Sequence, residues 1–167
     1  MNGCVEKCDA NFLKDFYINQ IHDQNIFIGP YAIDDKDVKE MKDIGITAVL
    51  NLQTQDDINE RGYSWAKMNQ VYKSRGLNCI HYPIDDYDEQ DHPQKVFAAA
   101  QYLNDLLNAK NNKVYIHCSS GISRASTVVL CYLALYKKIA CWRSIDQCDE
   151  YLLKYHHVST PNQWIIE

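Results

Sequence analysis

Val114-Tyr115-Ile116-His117-Cys118-Ser119-Ser120-Gly121-Ile122-Ser123-Arg124 is the stretch on which the reading of this chain turns. Its first three residues are apolar and either β-branched or aromatic, the pattern of a buried strand. The stretch that follows, Ala125 to Tyr136, has the length and apolar content of a buried helix. Strand, short glycine-containing turn and helix together predict a loop whose free N–H groups, at the positive end of the helix dipole, converge beside the Cys118 sulfur. A dianion the size of phosphate would be held at that point.

Such surroundings favour a thiolate, the nucleophilic form of cysteine. Arg124, six positions on, offers a planar fork of donors suited to two phosphate oxygens, which a lysine could not reproduce. Gly121 removes side-chain bulk where the backbone curls around the anion. Ser119, Ser120, Ile122 and Ser123 are expected to contribute mainly their N–H groups, completing the substrate-binding set with Gly121 and Arg124. His117 is read as a hydrogen-bonding support beneath the loop. Attack on a phosphoryl group expels an alkoxide or phenoxide, which needs a proton donor. The acidic run from Asp85 supplies one: Asp86 is the first candidate, with Asp85 and Asp88 behind it. Water would then hydrolyse the phosphocysteine, with the same carboxylate acting as base.

Outward from the loop, strand and helix patterns alternate. Ile26-Phe27-Ile28 reads as a strand ended by Gly29-Pro30, and Asp34 or Asp35 caps a helix that turns Val38 and Met41 inward and stops at Gly45. Ile46 to Leu52 is apolar enough for the middle of a sheet, Tyr63 to Lys73 is helical, and Asn78 to Tyr82 is a third strand. Val96, Phe97, Ala100, Leu103, Leu106 and Leu107 keep helical spacing, and Trp142, Ile145, Tyr151, Leu152 and Tyr155 mark a last helix. The order predicts an α/β fold with a central, largely parallel sheet flanked by helices. In such sheets ligands bind beyond the carboxyl ends of the strands, and Cys118 lies just past one. Residues 1 to 20 show no period and read as an N-terminal extension, leaving 21 to 167 as one catalytic domain. His156-His157 has no metal-like cluster around it and reads as surface.

At 167 residues, 46% hydrophobic and 23% charged, the chain has the size of one domain with a real core. Its net charge of −5, without a basic run longer than two residues, argues against a nucleic-acid partner, so attraction for an anion has to be local. The seven cysteines show no Cys-x-x-Cys pairing, so reduced thiols without a metal or other cofactor are expected, Cys79 and Cys131 as small core residues. No run approaches the roughly 18 apolar residues of a membrane span. The opening Met1 to Lys7 lacks a signal-peptide core and the closing Trp164 to Glu167 lacks a prenylation motif, so the expectation is a cytoplasmic protein. Oligomeric state is not legible.

His117-Cys118-Ser-Ser-Gly121-Ile-Ser-Arg124 resembles the signature loop of dual-specificity phosphatases, a branch of the cysteine-dependent protein tyrosine phosphatases. Ile26 to Pro30, Gly45 to Leu52 and Ser159-Thr-Pro-Asn162 resemble that family's opening strand, second strand and closing segment. The resemblance implies Cys118 as nucleophile, Arg124 as phosphate binder and Asp86 as general acid. It implies phosphotyrosine and phosphoserine or phosphothreonine in proteins as substrates. Gly45-Ile-Thr-Ala-Val-Leu-Asn-Leu-Gln-Thr54 is similar to laforin and the plant glucan phosphatases in particular, which makes phosphoglucan the alternative substrate. Against that alternative, Ser120 and Ser123 stand where those enzymes usually carry Ala and Gly. The loop has no lysine to meet the further phosphates of an inositol ring. Ala125 occupies the position where most of the family has a hydroxyl that stabilises the departing thiolate, so the resemblance implies a slow second step. A phosphate-binding pseudophosphatase is the remaining alternative, opposed by the presence of both Cys118 and Arg124.

Overall fold

Successive side chains of a strand point to opposite faces, so a strand buried at every position must lie between two layers. Three short strands of this chain are of that kind. The structure, a computed structural model, describes residues 16–21, 24–86, 92–109, 111–137 and 145–161. In chain order its elements are β1 (Asn19–Gln20), β2 (Ile26–Gly29), α1 (Asp35–Asp43), β3 (Ala48–Asn51), α2 (Gln55–Glu60), α3 (Trp65–Ser74) and β4 (Asn78–His81), then α4 (His92–Asn108), β5 (Val114–His117), α5 (Arg124–Tyr136) and α6 (Ile145–Leu153). Among the described residues the sheet runs β1-β2-β5-β3-β4. Only β1 is antiparallel to its neighbour.

The two faces of the sheet carry separate cores. Ile26, Ile28, Ala48, Leu50, Val114 and Ile116 face α4 and α5, meeting Val96, Leu103, Val128 and Leu133. The alternating residues Phe27, Val49 and Tyr115 face the other way, onto Val38 and Met41 of α1 and Met68 and Tyr72 of α3. Each such fully buried large side chain contributes on the order of 1.5–3 kcal/mol. In α5 every residue from Arg124 to Leu130 is buried, the polar Arg124, Ser126 and Thr127 included.

Local signals set the helix starts. Asp34 caps α1 by accepting from the N–H groups of Lys36 and Asp37, and Val38 and Met41 are buried as expected. Helix α3 begins at Trp65 rather than Tyr63 because the Ser64 hydroxyl accepts from Lys67 N–H. Phe97 departs from the inward face expected of it: it is 49% exposed, since one residue of helix turns it about 100° away from Val96. Two elements carried no sequence expectation, β1 and α2. The first lies within the stretch read as an extension. Trp142, Asp88 and Asn162 lie outside the described residues.

Candidate active site

The register of the central strands brings the candidate residues together. His117 pairs with Gly29 on one side and Asn51 on the other, so Cys118 is the first residue beyond the carboxyl edge of the sheet. The chains leaving β3 and β4 at that same edge carry Asp57 and Asp86. Two glycines let the loop turn there. Gly121 has φ +75°, and a Cβ on it would lie 2.4 Å from the Gly29 carbonyl oxygen, while a Cβ on Gly29 would lie 2.2 Å from the carbonyl of Tyr17. No larger residue fits either position without moving backbone.

Donors outside the loop hold its carbonyls. His117 Nδ1 lies 3.0 Å from the Cys118 carbonyl, Tyr17 donates its hydroxyl to Ser120 at 3.0 Å, His156 Nε2 lies 2.8 Å from the Gly121 carbonyl, and Thr160 N–H donates to Ile122 at 3.1 Å. In a trans peptide the N–H points opposite to the C=O. Securing those four carbonyls therefore turns the N–H groups of Ser119, Gly121, Ile122 and Ser123 to the other side, the arrangement of an anion nest. Burial pushes His117 down to about 4, so its imidazole is neutral and serves as a donor rather than a charge. Burial, and then the Cys118 sulfur, push the Tyr17 phenol up to about 12, which keeps its proton in place at neutral pH.

Arg124 is 5% exposed in its side chain and is held by three acceptors. Nη1 donates to Asp57 Oδ2 at 2.6 Å and to the Ile84 carbonyl at 2.9 Å, and Nη2 donates to Asp57 Oδ1 at 3.2 Å. The end of the guanidinium is thereby taken up, leaving its Nε side for a ligand. Nε lies 3.3 Å from Asp86 Oδ2 without a hydrogen bond, and among the described residues it has no hydrogen-bond partner. The Asp86 carboxylate thus stands on the arginine edge that a phosphate would occupy.

Asp57 is the functional residue that reading the sequence missed. Its carboxylate closes a capping box with Thr54 at the start of α2, accepting from Thr54 N–H at 2.7 Å, and the same oxygen meets Arg124. Burial opposes its charge, yet the hydrogen bonds from Arg124 and Thr54 outweigh burial and draw it down to about 2. Burial likewise works against the charge of Arg124, and Asp57, Cys118 and Asp86 more than restore it. The pattern Thr54-Gln-Asp-Asp57 just past a strand was the available signal. Behind Ser119, Gln53 Nε2 donates to the serine hydroxyl at 3.2 Å while its Oε1 accepts from Tyr63.

A pocket of about 380 Å³ opens over the loop, lined by Thr54, Asp56, Asp57, Glu60, Arg61, Asp85, Asp86, Ser119, Ser120 and Arg124. Ala125, at the start of α5, is fully buried. Cys79 and Cys131 are only partly buried, and burial pushes their thiols up to about 12 and about 11, the opposite of activation. His156 corrects the expectation of a surface residue. It is 0% exposed, because Nδ1 meets Asn19 Nδ2 at 2.9 Å and its other nitrogen meets Gly121, while His157 alone faces solvent.

Residues 26–164 match the family model for the dual specificity phosphatase catalytic domain. The chain belongs to that family. It is similar to the Arabidopsis thaliana phosphoglucan phosphatase LSF1, chloroplastic, with 31% identity covering 66% of this chain and 18% of LSF1. It is 27% identical to mouse dual specificity protein phosphatase 26, covering 85% of the chain and 63% of that protein. It is 29% identical to mouse laforin, covering 71% and 42%. The phosphatase-family chain thus spans between 18% and 63% of the length of these relatives. In fold it is similar to the Yvh1 phosphatase domain from Chaetomium thermophilum, with a TM-score of 0.67 at 20% identity, covering 90% of this chain and 91% of that one. No helix among the described residues is long and apolar enough to cross a membrane.

Proposed function

We propose that this dual-specificity phosphatase domain hydrolyses phosphomonoesters through a phosphocysteine, acting on phosphotyrosine and on phosphoserine or phosphothreonine in proteins. The observation that carries the reading is the Asp86 carboxylate 3.3 Å from the Arg124 Nε edge, at the end of a loop that starts with Cys118 just beyond the carboxyl edge of the sheet. The phosphate sits in the nest, its oxygens on the loop N–H groups and on Arg124. Cys118 Sγ attacks phosphorus while the bond from phosphorus to the leaving oxygen breaks, and Asp86 gives that oxygen its proton. Water then attacks phosphorus, Asp86 takes the water's proton, and the thiolate departs. Binding of phosphate displaces Asp86 from Nε towards the leaving group, so the acid stands in reach before the substrate arrives.

The pocket's charge bears on the substrate. Asp56, Asp57, Glu60, Asp85 and Asp86 line it against Arg61 and Arg124, which disfavours a ligand with several phosphates. A phosphoglucan is the second reading, supported by the similarity to LSF1 and laforin. The compartment we propose is the cytoplasm. Phosphate release from phosphotyrosine peptide, phosphothreonine peptide and phosphorylated amylopectin, measured side by side, tests these readings. Hydrolysis of the peptides with near-complete loss in Cys118→Ser is the expected result. Release from amylopectin alone would replace the first substrate with the second. Tight phosphate binding without release from any of the three would make the domain a pseudophosphatase.

A further inference from the structure

Of the side-chain donors that secure the loop, His156 and Tyr17 come from outside the signature sequence, one near each end of the described chain. A carbonyl can only accept, so the 2.8 Å contact between His156 Nε2 and the Gly121 oxygen places a proton on Nε2. Burial pushes His156 down, which leaves a neutral ring with Nδ1 as an acceptor. Asn19 Nδ2, 2.9 Å away, donates to it. The relay has one direction: Asn19 amide to His156 Nδ1, His156 Nε2–H to Gly121. It ends at the loop's tightest point, where φ is +75° and the backbone lies against Gly29. The peptide it grips is the one whose other end is the Ile122 N–H. The groups facing the imidazole are the Tyr17 phenol, with ring centroids 5.9 Å apart, and the exposed His157 on its own segment.

We propose that His156, oriented by Asn19, is a positioning residue that holds the Gly121–Ile122 peptide with its N–H turned to the anion, so that part of the loop's affinity for phosphate is built by residues outside the signature. The proposal deepens the phosphatase reading and rests on it for the identity of the anion. Without the Nε2–H, the Gly121 carbonyl is free to rotate inward, where it would repel phosphate oxygens and the Cys118 thiolate alike. The loop then loses anion affinity and thiolate reactivity together. A residue that merely filled space would have no such paired effect.

The test uses the full chain with His156→Leu, His156→Gln, Asn19→Ala and, as control, His157→Ala. Tungstate protection of Cys118 from iodoacetamide, followed by mass spectrometry of the Cys118 peptide at pH 6.5, reports the anion constant and the alkylation rate without turnover. Urea midpoints are recorded for each variant. Loss of a hydrogen bond to a charged assembly predicts tungstate binding about tenfold weaker in His156→Leu, with slower alkylation. Gln, which also carries an N–H at the end of its side chain, is expected to recover most of that loss. Asn19→Ala falls between, and His157→Ala matches the unmodified chain. Unchanged tungstate constants in His156→Leu overturn the proposal. Should His156→Leu fail to fold, weaker tungstate binding in Asn19→Ala than in the unmodified chain supports the proposal, and equal constants in His156→Gln, Asn19→Ala and the unmodified chain overturn it. An unmodified chain that binds tungstate but hydrolyses no aryl phosphate defeats the enzyme reading alone, and the same constants still decide the role of His156.

Discussion

Replacing Asp57 by Asn keeps the shape of the side chain and one acceptor oxygen but sets an amide donor against the donors of Arg124. The two hydrogen bonds at 2.6 and 3.2 Å join side chains that are 5% and 20% exposed. Removing one partner of a fully buried pair costs about 3–5 kcal/mol; the retained Ile84 contact and the partial exposure of Asp57 bring this to about 2–3 kcal/mol. Titration supplies a second route to the magnitude. Asp57 is held at about 2 in the folded chain, against about 3.9 when unfolded, so its ionised form contributes up to about 2.5 kcal/mol above pH 4, less what solvent screens at its exposed edge. Because the folded value is the lower one, that contribution is lost as pH falls from about 4 through 2. Urea unfolding at pH 7 should therefore show Asp57→Asn with a midpoint lower by about 1 M, using a slope of about 2 kcal/mol/M, and the gap should close at pH 2 to 3. With the guanidinium no longer anchored, KM for an aryl phosphate should rise about tenfold. An unchanged midpoint and KM, or a gap that persists undiminished to pH 2, would refute the account of Asp57 as the arginine's anchor.

Asp86→Ala should slow alkyl phosphates by about 100-fold or more and aryl phosphates with good leaving groups far less; equal losses would remove its role as proton donor. Ala125→Ser should speed breakdown of the phosphocysteine by about tenfold in burst experiments, and an unchanged second phase would show that a missing hydroxyl does not limit turnover. His117 is held at about 4 by burial, against about 6.5 unfolded, so the unfolded chain takes up a proton first as pH falls. Stability should accordingly decline between about pH 6.5 and 4, by up to about 3 kcal/mol, and His117→Asn should flatten that decline in urea midpoints; parallel curves would count against a neutral buried imidazole.

Short-range signals served the sequence reading well wherever the chain's own period carried the information. Val114-Tyr115-Ile116, apolar and β-branched or aromatic, forms the central strand, which runs one residue further to His117, and the run after Arg124 is the helix. Val38 with Met41 inward followed from spacing, and of the two caps the sequence offered, Asp34 and Asp35, the structure uses Asp34. Where pairing crosses long distances, the reading was silent. Asn19–Gln20 is too short to have a period and becomes a strand only because the edge of β2 is there to receive it.

Residues 114 to 124 by themselves determined the strand-turn-helix and nominated Cys118 as the proposed nucleophile and Arg124 as the proposed phosphate binder, because those features depend on neighbours along the chain. What surrounds that loop was decided by tertiary structure. Asp57 on the arginine, Asp86 at its Nε side and His156 on the Gly121 carbonyl arrive from β3, β4 and the segment after α6. Asp86 was already nominated as the acid by its place in the acidic run, but its position against Arg124 was not, and a lone Asp57 or His156 reads as solvated surface until something pairs with it. Once parallel packing brings the strand ends to one edge, the buried carbonyls and the guanidinium must find partners, and that requirement selects these three residues.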